Sequence, residues 1–104
     1  MTEITNETRN LFFTQKGTAV VVFYSPDCGH CKMLEKELEQ MVTEIPDTAF
    51  GRVNIAAEAA LTGAFDVQSV PTVLYIKNGE IRDRSVGFVP KEAIQGTLSK
   101  LNQI

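Results

Sequence analysis

Ser25-Pro26-Asp27-Cys28-Gly29-His30-Cys31-Lys32 holds both cysteines and the only histidine of a 104-residue chain. It follows directly on the apolar run Ala19 to Tyr24. Two cysteines with two residues between them admit four readings: half a zinc site, a structural disulfide, a catalytic dithiol, or coincidence. The flanking sequence decides among them.

Upstream, Thr18 to Tyr24 is β-branched and aromatic without polar alternation, the pattern of a central parallel strand covered on both faces. Pro26 stops that strand, and a helix begins near Cys28. Leu34, Leu38, Met41, Val42 and Ile45 keep helical spacing along one face of it, while Glu35, Lys36, Glu39 and Gln40 fill the other. Pro46-Asp47 closes the helix. Phe50 to Ile55 reads as a second strand, and Ala57 to Ala64 as a short helix interrupted by Gly63. Before all of these, Thr5 to Gln15 is predicted as a first helix, with Thr5 or Asn6 at its N-cap and Leu11 and Phe12 on a buried side. Lys16-Gly17 ends it, a cation followed by a residue free to adopt the left-handed conformation.

This order of helices and strands favours a parallel sheet with helices on both faces. The second half changes character. Val73 to Ile76 is apolar, Asn78-Gly79 is a two-residue hairpin signal, and Glu80 to Val86 returns antiparallel. Gly87 marks a bulge or bend, Pro90 suits a helix first turn, and Ile94, Leu98 and Leu101 form a buried stripe on the last helix. The expected fold class is α/β: a central mixed sheet with a C-terminal antiparallel hairpin, flanked by helices on both faces, in one domain spanning 1–104.

Composition excludes several functions. Apolar residues make up 43% and charged ones 22%, ordinary for a globular chain. A net charge of -3 counts against nucleic acid as the main partner. No stretch approaches the ~20 consecutive apolar residues of a membrane helix, and Met1 to Asn10 lacks the features of a signal peptide. A cytoplasmic location is expected, where two lone cysteines are more often catalytic or metal-binding than structural.

Zinc needs four ligands, usually Cys or His, and the chain offers Cys28, Cys31 and His30, with His30 placed awkwardly between the sulfurs. Only a site shared between two chains would meet that need. A disulfide across so short a loop constrains the unfolded chain little. Coincidence leaves the position at a strand-to-helix junction unexplained. The catalytic dithiol suits that position, because free N–H groups and the helix dipole stabilise a thiolate. Cys28 is expected to be the exposed attacking sulfur and Cys31 the partly buried resolving one. Gly29 removes bulk beside them. His30 adds positive charge near the thiolate, and ~1.4 kcal/mol of such preference raises the potential of a two-electron couple by about 30 mV.

Three landmarks now matter together: Val21-Val22-Phe23-Tyr24 leading to Cys28-Gly29-His30-Cys31-Lys32, then Val70-Pro71-Thr72, then Lys77-Asn78-Gly79-Glu80 with Val86-Gly87. In order and spacing the chain resembles the thioredoxin family over nearly its whole length. The resemblance implies the thioredoxin fold, a cis peptide at Pro71 facing the cysteines, and a substrate peptide bound at Val70, Pro71 and Gly87 as an added strand. The Gly29-His30 dipeptide is similar to that of protein disulfide isomerase domains and implies a less reducing couple than Gly-Pro.

The chain also departs from the family. The buried acid expected six residues before the first cysteine is replaced by Val22, leaving Cys31 without an obvious base. Glu35 lies one turn from Cys31, but helical periodicity puts it on the outer face, where it is a poor substitute. Arg52 stands at the paired lysine position and cannot give up its proton; it is expected to lie over the sheet end or stay solvated. Asp27 replaces the usual Trp, and its charge opposes a Cys28 thiolate. Lys36 replaces a kinking proline, so a straighter helix is expected. Phe88 and Val89 are expected either at the rim of the site or in the core.

The expected function is thiol–disulfide exchange with protein disulfides through a Cys28 mixed disulfide, with the Cys28–Cys31 couple needing no further cofactor or metal. By resemblance a thioredoxin reductase would supply electrons to a monomer. The alternatives are a binding or scaffold module with a vestigial CxxC, and a glutaredoxin-like, glutathione-dependent reductase.

Overall fold

The structure, a computed structural model, describes residues 1–14 and 16–102. Its centre is β2 (Thr18–Tyr24), the apolar run before the cysteines. β2 pairs in parallel with β3 (Ala49–Asn54) on one side and antiparallel with β4 (Thr72–Lys77) on the other. A two-residue strand, β1 (Thr2–Glu3), adds in parallel to β3, and β5 (Glu80–Val86) pairs antiparallel with β4. The sheet order is β1-β3-β2-β4-β5.

The absence of polar alternation in β2 has a direct cause. Val20 and Val22 point to one face, where they meet Leu34, Leu38 and Met41 of α2 (Gly29–Glu44) and Ile94, Leu98 and Leu101 of α4 (Lys91–Leu101). Ala19, Val21 and Phe23 point to the other, against Ile4, Phe12 of α1 (Asn10–Phe13) and Leu61 of α3 (Ala59–Ala64). A strand covered on both sides gains burial at every residue, about 1.5–3 kcal/mol for each large aliphatic side chain. Gly51 is small for a packing reason: a Cβ there would sit 2.4 Å from Ile4 Cδ1 and 2.8 Å from Phe12 Cε1. The hairpin between β4 and β5 turns at Asn78 (φ 51°) and Gly79 (φ 83°), both left-handed as the mirror-image turn demands. Asn78 Oδ1 accepts the Gly17 N–H at 2.8 Å, which ties this turn to the start of β2.

The register places the loops that matter at one end of the sheet. Tyr24 at the end of β2 opposes Asn54 of β3, Phe23 opposes Thr72 at the start of β4, and Thr72 opposes Val86 at the end of β5. Ser25–Cys28, Val70–Pro71 and Gly87 therefore emerge together.

Several expectations need correction. The first helix is not Thr5–Gln15 but the four residues Asn10–Phe13, and Leu11 is exposed while Phe12 is buried; Gln15 lies outside the described residues. Thr5 and Thr8 exchange N–H to hydroxyl bonds (2.9 and 3.3 Å), which satisfies the backbone in a turn and delays helix formation. The third helix starts at Ala59, not Ala57, because Asn54 holds the intervening turn: its Oδ1 accepts from Ala56 N, and its carbonyl from Ala57 and Glu58 N. β3 runs Ala49–Asn54 where Phe50–Ile55 was expected, β4 extends one residue further at each end, and Pro90 is the N-cap of α4 rather than part of its first turn. β1 was not foreseen. At Lys36 the helix α2 continues without interruption from Gly29 to Glu44.

Candidate active site

Cys28 is the N-cap of α2. Its backbone is extended (φ -93°, ψ 115°), and its sulfur accepts the Cys31 N–H at 3.1 Å. A cysteine thus fills the role usually taken by a serine or aspartate, with its sulfur directed at the unsatisfied amides of the first turn. The sulfur thus lies at the positive end of a sixteen-residue helix, on the donor side of its first turn. Cys28 is half-buried. Gly29 and His30 are exposed beside it, as is Asp27.

Cys31 sits one turn in and is 1% exposed. Burial pushes its thiol up to about 11, reinforced by the hydrogen bond with Cys28 and by the charges of Cys28 and Glu35, against a lowering hydrogen bond from the Ser25 backbone. The two sulfurs therefore differ in kind. One is reachable and served by amide donors; the other is shielded and holds its proton.

The Val70–Pro71 peptide bond is cis. Pro71 is buried and Val70 half-buried. The Pro71 carbonyl accepts the Gly87 N–H at 2.8 Å, and Gly87 has φ +88°, a conformation that favours glycine. Phe88 is exposed at this end, whereas Val89 packs against the core beneath α2 and α4. The sheet thus brings every residue singled out in the sequence (Cys28, Gly29, His30, Cys31, Val70, Pro71, Gly87) to one end.

It also gathers residues whose roles were misread or missed. Glu35 is not on the outer face: its side chain is 16% exposed and turned toward β3. Its Oε1 lies 3.2 Å from Arg52 Nη1, an ion-pair contact without hydrogen-bond alignment, and that oxygen is buried without a hydrogen-bond partner. Of the two placements expected for Arg52, over the sheet end or solvated, the structure shows the first. Its Nε donates to Glu3 Oε1 at 2.8 Å, and its guanidinium lies 4.2 Å over the Tyr24 ring, whose hydroxyl donates to Glu3 Oε2 at 2.9 Å. Burial raises the Glu35 carboxyl above the ordinary range, with Arg52 opposing. An open cleft of about 370 Å³ borders this group, lined by Tyr24, Ser25, Pro26, Lys32, Glu35 and Arg52. The spacing of Glu35 four residues after Cys31 was a legible signal. Glu3 had none, since it depends on a strand too short to detect.

A dithiol of unequal sulfurs at a strand-to-helix junction, one half-buried at the helix N-cap and one buried a turn further in, defines a protein of thiol–disulfide exchange. The family model described as Thioredoxin matches residues 2–100. The thioredoxin of Bacillus subtilis (strain 168) is 36% identical over 88 residues, covering 84% of this chain and 85% of that protein. The thioredoxin of Mycoplasmoides gallisepticum is 32% identical over 100 residues, covering 94% and 99%. Among solved structures, Fasciola hepatica thioredoxin superposes with a TM-score of 0.88 at 23% identity, over 96% of this chain and 98% of that one, a likeness of fold. The chain belongs to the thioredoxin family. It is a thiol–disulfide oxidoreductase, and neither the scaffold nor the glutathione-dependent alternative is better supported.

Proposed function

We propose that the chain reduces protein disulfides, with Cys28 as the attacking sulfur and Cys31 as the resolving one. The observation that carries this assignment is their asymmetry: Cys28 is half-buried and accepts an amide N–H, while Cys31 is 1% exposed with its thiol near 11. The Cys28 thiolate attacks a substrate sulfur, the substrate disulfide breaks, and a Cys28–substrate mixed disulfide forms. Cys31 loses its proton and attacks Cys28 Sγ. A Cys28–Cys31 bond forms while the second substrate thiolate departs and is protonated. Two electrons pass from the dithiol to the substrate, so the couple needs no added cofactor or metal.

The half-buried Val70, the cis Pro71 and the bend at Gly87 support a substrate strand laid along this end of the sheet. Gly29 leaves room for it, and exposed His30 stands beside it. Asp27 disfavours acidic partners. Electrons would return from a thioredoxin reductase in the cytoplasm, as its bacterial thioredoxin relatives suggest. No helix among the described residues is long and apolar enough to cross a membrane.

Insulin reduction tests the assignment. Cys28→Ser should abolish turnover, and Cys31→Ser should abolish it while leaving the first attack intact. Undiminished activity in Cys28→Ser would refute the reading.

A further inference from the structure

The mechanism leaves Cys31 with a difficulty: a thiol near 11 must give up a proton before it can attack. The position six residues before Cys28 cannot help, because Val22 is wholly buried and apolar. His30, Asp27 and Lys32 are exposed and outside the buried shell around the sulfur. Glu35 is different. It lies four residues after Cys31 on α2, the spacing that puts side chains on one helix face with Cβ atoms about 5–6 Å apart. Its charge is one of those that raise the Cys31 thiol.

We propose that Glu35 is the proton acceptor for Cys31 in the resolving step, acting through the cleft beside Ser25 and held in place by Arg52. Ser25, in the loop that leads into Cys28, lines the same cleft as Glu35, and its carbonyl accepts the Cys28 N–H at 3.1 Å. At about 370 Å³ the cleft has room for water, which occupies roughly 30 Å³ per molecule, and a general base can act through one water. The unaligned, unbonded Oε1 of Glu35 leaves a lone pair free for the proton. Arg52, anchored by Glu3 and Tyr24, opposes the burial that raises the carboxyl without closing a tight hydrogen bond on it.

The proton on Cys31 Sγ passes to the Glu35 carboxylate, and the sulfur's electron pair forms the bond to Cys28 Sγ. The bond from Cys28 to the substrate sulfur breaks, the pair leaving on substrate. Glu35 then returns its proton to water or to the departing thiolate. The groups facing Glu35 are Arg52 of β3, Glu3 of β1, Tyr24 of β2, Lys32 and Glu39 of α2, and the N-terminal amine of Met1. Burial raises the carboxyl, Arg52 and the amine lower it, and Glu3 and Glu39 raise it.

This inference rests on the roles proposed for Cys28 and Cys31, and one stopped-flow assay separates the two. With protein in excess, an aromatic disulfide (dithiobis-nitrobenzoate) releases one coloured thiolate on Cys28 attack and a second on Cys31 resolution. Glu35→Gln should leave the first release unchanged and slow the second about tenfold or more at neutral pH, within the range of general-base effects. The wild-type second phase should rise through an inflection above the ordinary carboxylate range. Glu35→Gln should lack it, Glu35→Asp should keep it, and Arg52→Met should move it to higher pH. A Glu35→Gln protein with the wild-type second phase overturns the proposal, as does equal slowing of both phases at every pH, which marks a purely structural pair. If Glu35→Gln does not fold, the pH profiles of Glu35→Asp and Arg52→Met decide. Cys31→Ser must lose the second release; if it does not, the assignment of Cys31 fails first.

Discussion

Replacing Cys28 by serine isolates the Cys31 thiol and tests the asymmetry on which the chemistry depends. Serine is a strong N-cap, so its hydroxyl can take over the Cys31 N–H now held by sulfur at 3.1 Å, and α2 should start where it does. Two causes that raise the Cys31 thiol disappear, the hydrogen bond and the charge of Cys28. The largest cause, burial at 1% exposure, remains. The thiol should therefore titrate below about 11 but above an ordinary cysteine. At pH 8 a thiol near 11 is ionised roughly one part in a thousand, an ordinary one near 8.5 about one part in four. That ratio, roughly two hundredfold, bounds the effect from above, and burial, the largest of the causes, should retain part of it. Thiolate absorbance in the ultraviolet, followed against pH, reads the titration without depending on reagent access. An inflection at or below the ordinary cysteine range would refute the reasoning, because Cys31 would then need no base.

The raised Cys31 thiol also has a sign in stability. The folded state holds this proton more tightly than the unfolded chain, so its contribution is intact below the ordinary thiol range and is lost as pH rises toward about 11. Thermal melts of the reduced protein should show Tm falling across that window, more steeply than in Cys31→Ala. The Glu35 carboxyl, also raised, costs stability when ionised. Glu35→Gln should melt above wild type at neutral pH, and the gap should close as acid protonates the wild-type residue; a lower Tm at neutral pH would show the ion pair to be net stabilising. Gly51→Ala puts a methyl 2.4 Å from Ile4 and 2.8 Å from Phe12. Overpacking of this kind costs about 1–3 kcal/mol, so Tm should drop by about 5–20 °C for a domain of this size, and an unchanged melt would contradict the packing of Ile4 and Phe12 on β3.

Much of this was readable because the signals were local. The bounds of β2 and β5 follow from the β-branched run and the Asn-Gly turn, and the start of α2 at the cysteines follows from Pro26 and the change of period. The stripe Ile94, Leu98 and Leu101 is buried as its spacing requires. What failed depended on partners distant in sequence. Thr2–Glu3 is too short and polar to read as a strand, yet it pairs with β3 and supplies Glu3. With that strand unseen, periodicity alone sent Glu35 outward, although β1 and β3 fold an arginine over that flank of the helix. Arg52 met one of its two expected placements, over the sheet end on the Tyr24 ring, but its ion pair with Glu3 was not legible. At the amino terminus, a turn built by two threonine side chains replaced the first part of the expected helix, which forms only over Asn10–Phe13.

The most direct test of the central claim is to trap the intermediate. Cys31→Ser, incubated with an oxidised protein substrate and quenched by acid, should accumulate a one-to-one adduct whose disulfide maps by mass spectrometry to Cys28. The same substrate with Cys28→Ser should give none above background. An adduct that forms on Cys31 in the Cys28→Ser protein as readily as on Cys28 in the Cys31→Ser protein would contradict the account.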